Sequence, residues 1–326
     1  MDEKKEKQAW RQSLAQIGLQ KGFYRELGDN HTALFARAGD TLVVTFDNLD
    51  HVFSHDEDRL PWGFKFIQSR GWSNLGMMAH GWTWYRDDEV LDFFDELRDS
   101  GFFSQFKRII FYGASMGGYA AGAFSAAAPG AQVIMISPQA TLDRSTVGWE
   151  TRYKQGRKRD FRGRYGSAPD SMASASKIYL IYDPLALLDR RHADLFTDPR
   201  IIRLKCRLMG HRIASAMQGM GILKQVVGQS IEGTLTEPRF YAMIRKRREY
   251  HRYMKDLLAQ LQEKKRHYLV ALLCAYYLST RGGPKFRRAL KEAVNALEAE
   301  GRPVPPSRIP GVQSGSHEGR AATATP

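Results

Sequence analysis

The stretch RIIFYGASMGGYAAGAF, Arg108 to Phe124, constrains the fold more than any other part of the chain. An apolar run suited to a strand buried on both faces enters Gly113-Ala114-Ser115-Met116-Gly117, and a run of small residues suited to a helix follows. This is G-x-S-x-G in a strand–turn–helix setting. A serine on such a turn adopts strained backbone geometry, and the flanking glycines avoid side-chain clashes on both sides. Its oxygen then stands at a helix N-terminus, where a developing anion is favoured. Ala120, Ala121, Gly122 and Ala123 let that helix pack tightly on a sheet. Ser115 is therefore a candidate nucleophile, with the Met116 amide as one oxyanion donor. The competing reading is a tight structural turn.

Around this corner, strands and helices alternate. FYRELG, TALFARAG and TLVVTFDN are extended segments separated by turn signals, and GFKFIQS (63–69) reads as a further strand. DDEVLDFFDELRDSG (87–101) reads as a helix with Val90, Phe93, Phe94 and Leu97 on one face. AQVIMIS (131–137), KIYLIYD (177–183) and RIIRLKCRLMGH (200–211) complete the strands, with PLALLDRRHADLF as the helix between the last two. Alternation on this scale predicts an α/β fold with a doubly wound, mostly parallel sheet. From Glu237 the strand signals stop. Phe240, Ile244, His251, Met254, Leu258 and Leu261 mark one face of a long helix, and two more helices follow. The expected organisation is an N-terminal helix over 1–21, an α/β domain over 22–235 and an α-helical C-terminal appendage over 236–300. A disordered tail covers 301–326.

A serine nucleophile needs a base, and the base needs an orienting carboxylate. The chain offers them in the order Ser, Asp, His. Asp183 closes KIYLIYD, and His211 closes the next strand in RLMGHRIA. Both would emerge at the carboxyl edge of the sheet, on the side of the elbow. The rival acids Asp189 and Asp194 fall on the intervening helix and are expected to point elsewhere. His80, in MMAHGWTWYR, is the rival histidine and is expected to line the pocket. With this order, residues 22–230 resemble the α/β-hydrolase superfamily. The resemblance implies Ser115 as nucleophile, Asp183 as orienting acid and His211 as base. It also implies a second oxyanion donor in the loop after TLVVTF, at Phe46, Asp47 or Asn48; Asn48 is in addition a candidate substrate contact. There this chain has Asp-Asn where many members have His-Gly or a glycine run.

Between the strands, residues 138–176 form a basic insert. Arg152, Lys154, Arg157, Lys158, Arg159, Arg162 and Arg164 crowd into RYKQGRKRDFRGR against the single Asp160. The functional reading is a lid in which Arg157, Lys158 and Arg159 attract an anionic acyl ester, a small molecule or a glycan. The alternative is a solvated charge run. A net charge of +14 fits either reading. Cys206 and Cys274 lack metal-ligand spacing, so no metal, cofactor or disulfide framework is expected. The charged N-terminus has no signal-peptide pattern, and the apolar run Tyr268–Leu278 is about half a bilayer span, so a cytoplasmic setting without a transmembrane segment is expected. No nucleic-acid fold accompanies the basic C-terminal helices, whose apolar stripe could instead serve a homo-oligomer. The expected activity is serine esterase or thioesterase chemistry through an acyl-enzyme. The alternatives are acyl transfer to a glycan or other hydroxyl, and a non-catalytic hydrolase-fold protein that binds an anionic partner.

Overall fold

A computed structural model describes residues 3–48 and 59–305. The chain divides into two compact units, Met1–Arg245 and Lys246–Pro326.

The first unit is built on eight strands: β1 (Gly22–Leu27), β2 (His31–Ala36), β3 (Thr41–Asn48), β4 (Ser73–Ala79), β5 (Arg108–Ala114), β6 (Gln132–Ile136), β7 (Lys177–Tyr182) and β8 (Ile201–Lys205). They form one sheet in the order β1-β2-β4-β3-β5-β6-β7-β8. β2 runs antiparallel to both neighbours, and every other pairing from β4 to β8 is parallel. Among the described residues, nine α-helices accompany the sheet: α1 (Glu3–Lys21), α2 (Phe64–Ser69), α3 (Asp88–Asp99), α4 (Met116–Phe124), α5 (Ala168–Ser171), α6 (Leu187–Asp194), α7 (Ile213–Gly219), α8 (Leu223–Ile231) and α9 (Glu237–Ile244). This strand order, with a nucleophile-type elbow between β5 and α4, is the α/β-hydrolase fold.

The layers follow from the residues. β2 and β4 are buried at every position, as strands in the middle of a covered sheet must be. On one face, Phe46 of β3 stacks with Phe94 of α3, Phe111 of β5 and Phe124 of α4, and the Phe94 and Phe124 centroids lie 4.3 Å apart. Each of these rings contributes about 2–3 kcal/mol of burial, so the elbow strand and its helix are clamped to the centre of the core. The apolar face expected on α3 is the one it buries.

Two local expectations are corrected. GFKFIQS is helix α2, entered from Gly63 at φ 78°, because Phe64 and Ile67 share a helical face and are buried together. The strand at this point is β4, SNLGMMA, which lacks alternation and β-branched residues. Its Gly76 sits where a Cβ would collide with Pro61. The last strand stops at Lys205, six residues short of His211.

The second unit contains α10 (His251–Glu263), α11 (His267–Thr280) and α12 (Pro284–Ala299). Met254, Leu258, Val270, Cys274, Phe286, Leu290 and Leu297 are buried. Tyr277 stacks on Phe286 at 3.8 Å and meets His251 Nδ1 at 2.5 Å. The long helix expected from Glu237 is two helices, α9 and α10, separated by a 3₁₀ turn over Arg245–Glu249. Most of the expected tail, residues 306–326, lies outside the described residues. Among the described residues, no helix is long and apolar enough to cross a membrane.

Candidate active site

Ser115 occupies the corner between β5 and α4 with φ 54° and ψ −118°, a conformation costly for a side chain bearing a Cβ. The corner is held from several sides. The Ser115 amide donates to the Ile136 carbonyl at 2.8 Å, tying the elbow to β6. A Cβ at Gly113 would collide with the Gly117 carbonyl, and one at Gly117 with the Phe46 carbonyl. Only glycine lets the helix start this close to β5 and β3. The first amides of α4, from Met116 onward, have no acceptor within the helix and present positive ends beside Ser115 Oγ.

Ser115 Oγ lies 2.8 Å from His211 Nε2, and His211 Nδ1 lies 3.0 Å from both carboxylate oxygens of Asp189. A carboxylate only accepts, so Nδ1 carries the imidazole proton and Nε2 accepts from the serine hydroxyl. Ser115 and His211 are thus brought together. The acid beside them is Asp189, which corrects the expectation for Asp183. Asp183 is only 2% exposed, but its carboxylate is taken up by backbone: Oδ2 accepts from the Met209 and Gly210 amides at 2.9 and 2.7 Å, and Oδ1 from Leu185 at 2.9 Å. It fastens the loop that carries His211. Because β8 ends early, this loop swings the imidazole back over the first turn of α6, where Asp189 faces inward. The sequence held a signal for this. Asp189, His192, Ala193 and Phe196 are spaced three, four and seven apart and are all buried, while Leu187 is exposed.

Asp189 is shared. Arg152 Nη1 donates to its Oδ1 at 2.6 Å, and the same guanidinium pairs with Glu150 at 2.8 Å. Burial works to raise the Asp189 carboxyl, but the hydrogen bonds and charges of His211 and Arg152 outweigh it and hold it below the usual range. Behind this pair, Glu150 accepts from His192 Nε2 at 3.0 Å, while His192 Nδ1 accepts from the Ala140 amide at 3.2 Å. His192 is therefore a neutral Nε2–H tautomer, consistent with burial lowering its pKa. Glu150 is also buried, yet its bonds to His192 and Arg152 hold its carboxyl down at about 2. Tyr153, from the same insert, places its hydroxyl 3.2 Å from His211 Nε2 and within hydrogen-bonding reach of the Ser115 side chain. Tyr153, Glu150 and His192 escaped the sequence reading, and Arg152 entered it only as one cation of the basic insert.

The remaining candidates are distributed as follows. The Phe46 carbonyl faces Gly117, and the Asp47 carbonyl accepts from Tyr85 Oη at 2.6 Å. The Asp47 carboxyl turns to the amides of Asn48 and Trp62, and burial pushes its pKa up to about 7 despite those bonds. The Asn48 amide is therefore directed at its own neighbour's side chain. His80 stands edge-on to Trp10 of α1 at 5.6 Å, so it packs against a helix rather than joining Ser115. Arg159 is ion-paired with Asp87 at the start of α3. Arg157 Nη2 reaches the Gly148 carbonyl, and Lys158 is exposed. Arg162 pairs with Asp160, and Arg164 with Asp92 and Asp95, so much of the insert's charge is matched locally. A cleft of about 550 Å³, lined by Phe103, Lys107, Arg108 and Gln132 among others, opens at the amino-terminal edge of β5 and β6, away from Ser115. Among the described residues, no group of three or more His, Cys, Asp or Glu side chains could hold a metal ion.

No protein-family model and no curated relative matches the chain. Solved structures similar to it include the capsule O-acetyltransferase of Neisseria meningitidis serogroup A (12% identity, TM-score 0.41, covering 64% of this chain and 94% of that one). They also include α/β hydrolase domain-containing protein 10 from mouse (11%, TM-score 0.40, 65% and 98%). A third is the Paleococcus ferrophilus monoacylglycerol lipase (10%, TM-score 0.38, 61% and 98%). At these identities and scores, nothing of their reactions carries over to this chain.

Proposed function

We propose that the protein is a serine acyl hydrolase that cleaves an ester or thioester through an acyl-enzyme. One observation carries this reading: the unbroken chain Ser115 Oγ–His211 Nε2, His211 Nδ1–Asp189, at 2.8 and 3.0 Å, on an elbow whose serine is held at φ 54°. A serine in a merely structural turn has no need of an oriented imidazole at its oxygen, nor the imidazole of a buried carboxylate.

Ser115 Oγ attacks the acyl carbon while Nε2 takes its proton, and Asp189 stabilises the imidazolium that results. The carbonyl oxygen becomes an oxyanion at the amino end of α4, where the Met116 amide donates to it. Nε2–H then returns the proton to the leaving oxygen or sulfur, and the acyl group remains on Ser115. Water, deprotonated by the same nitrogen, releases the acid. The pairing of Arg159, Arg162 and Arg164 with neighbouring carboxylates means that the reading does not require an anionic substrate.

A fluorophosphonate probe tests the reading. The expected outcome is stoichiometric labelling of the wild type, none of Ser115→Ala, and labelling slowed by about 10³-fold or more in His211→Ala. A folded wild-type protein that takes no label overturns it.

A further inference from the structure

The Tyr153 hydroxyl is the end of a directed hydrogen-bond chain. Indole Nε1–H can only donate, and Trp84 Nε1 lies 3.0 Å from Gln139 Oε1. That fixes the Gln139 amide so that its Nε2 donates to Tyr153 Oη at 3.2 Å. With its lone pair occupied from that side, the phenol has its own proton to give. Its oxygen stands 3.2 Å from His211 Nε2, the nitrogen that also meets Ser115 Oγ. Nε2 already accepts from Ser115, so the phenol is aimed at the reacting oxygens. Burial pushes the Tyr153 pKa up to about 12, which keeps this proton in place across the neutral range. The Trp84 and Tyr153 rings lie 4.9 Å apart, and a Cβ at Gly156 would strike the Trp84 indole, so the insert is seated against the ring that orients the chain.

We infer that Tyr153 is a further catalytic residue, whose phenolic O–H donates a hydrogen bond to the leaving oxygen as the tetrahedral intermediate collapses. This rests on the acyl-serine reading above. The leaving oxygen must come within reach of Nε2 to be protonated, and Tyr153 Oη already stands 3.2 Å from that nitrogen. The balance is simple. The bond between the acyl carbon and the leaving oxygen breaks, its electron pair goes to that oxygen, and the proton comes from His211 Nε2. Tyr153 stabilises the developing negative charge without losing its own proton.

The role predicts a dependence on leaving group that a packing role does not. An alkoxide needs stabilisation to depart, whereas p-nitrophenolate leaves readily. Values of kcat/KM, which report the steps up to acylation, are compared for ethyl butyrate and p-nitrophenyl butyrate in wild type, Tyr153→Phe and Gln139→Leu. In Tyr153→Phe, the value for the ethyl ester is expected to fall about 10- to 100-fold, and that for the aryl ester by about threefold or less. Gln139→Leu keeps the phenol but frees its orientation, and is expected to show the same asymmetry at about 3- to 10-fold. Retained aryl turnover shows that each variant is folded with its site assembled. An equal fall for both esters, or no fall for either, overturns the inference while leaving the acyl-serine reading standing. A wild type indistinguishable from Ser115→Ala on both esters overturns that reading and this inference with it.

Discussion

Arg152 binds two carboxylates that are almost completely buried, Glu150 and Asp189, and one of them also holds the imidazole. The guanidinium is itself about a quarter exposed, so it carries positive charge inward from the surface to a place where two negative charges could not otherwise coexist. Arg152→Met is expected to cost about 3 kcal/mol of stability, read from urea unfolding, because it leaves both acids uncompensated. Glu150→Gln introduced alongside is expected to recover part of that loss. An unchanged unfolding midpoint in Arg152→Met removes the structural importance assigned to this residue. None of this could be seen in RYKQGRKRDFRGR, where Arg152 is one cation among seven. Partners at sequence distances of 2 and 37 residues give it its meaning, and the longer distance is set only by the fold. Ser115 and His211, by contrast, were legible. The glycines around the serine, which the structure shows are demanded by backbone collisions, stand in the sequence at a recognisable spacing.

Among elements, the segment from β7 to α7 carries the largest difference between expectation and structure. An aspartate at the end of a strand is a natural acid for a histidine at the end of the next, but that logic assumes that the next strand reaches the histidine. β8 stops at Lys205 and a loop replaces its last turns, so Asp183 meets the loop's amides and Asp189 meets the imidazole. The two aspartates should therefore fail differently. Asp189→Asn presents an amide N–H to Nδ1, favours the wrong tautomer and is expected to lower kcat by about 10³- to 10⁴-fold, with a smaller loss of Tm than Asp183→Asn. Asp183→Asn removes charge-assisted bonds to two loop amides, and is expected to lower Tm and activity together. Equal Tm losses in the two variants would contradict the division of labour. α2 was misassigned and β4 was missed for a related reason. A fully buried strand shows no alternation, and a six-residue helix shows barely one period, so tertiary packing decided both.

At the scale of the molecule, the doubly wound, mostly parallel sheet was the most legible feature, because strand–helix alternation admits few topologies, whereas the order of its strands came only from the structure. The net charge of +14 was the least informative. Much of the insert's share is matched by Asp87, Asp92, Asp95 and Asp160, acids that lie far away in sequence or look like surface residues. Stability of the fold also carries a signature at the mouth of β3. The folded Asp47 carboxyl, raised to about 7, keeps its proton where the unfolded chain, near 3.8, has released it. Between these values the unfolded state binds fewer protons, so stability falls as pH rises from about 4 to about 7 and levels off above. Asp47→Asn cannot ionise. Its Tm relative to wild type is expected to improve between about pH 5 and pH 8, and a pH-independent difference would refute the assignment.

The distance of 96 residues between Ser115 and His211 also sets an order of events during synthesis. The elbow can form once β3, β5, β6 and α4 have left the ribosome, yet its serine then lacks a base. Tyr153 and Arg152 emerge next and have neither imidazole nor Asp189 to meet. Only when the chain beyond residue 211 has been released, and the loop held by Asp183 closes, does the hydroxyl become a nucleophile. On the reading proposed above, a nascent chain carries an inert serine until the segment past His211 is free to fold, and release of that segment is the step that arms it.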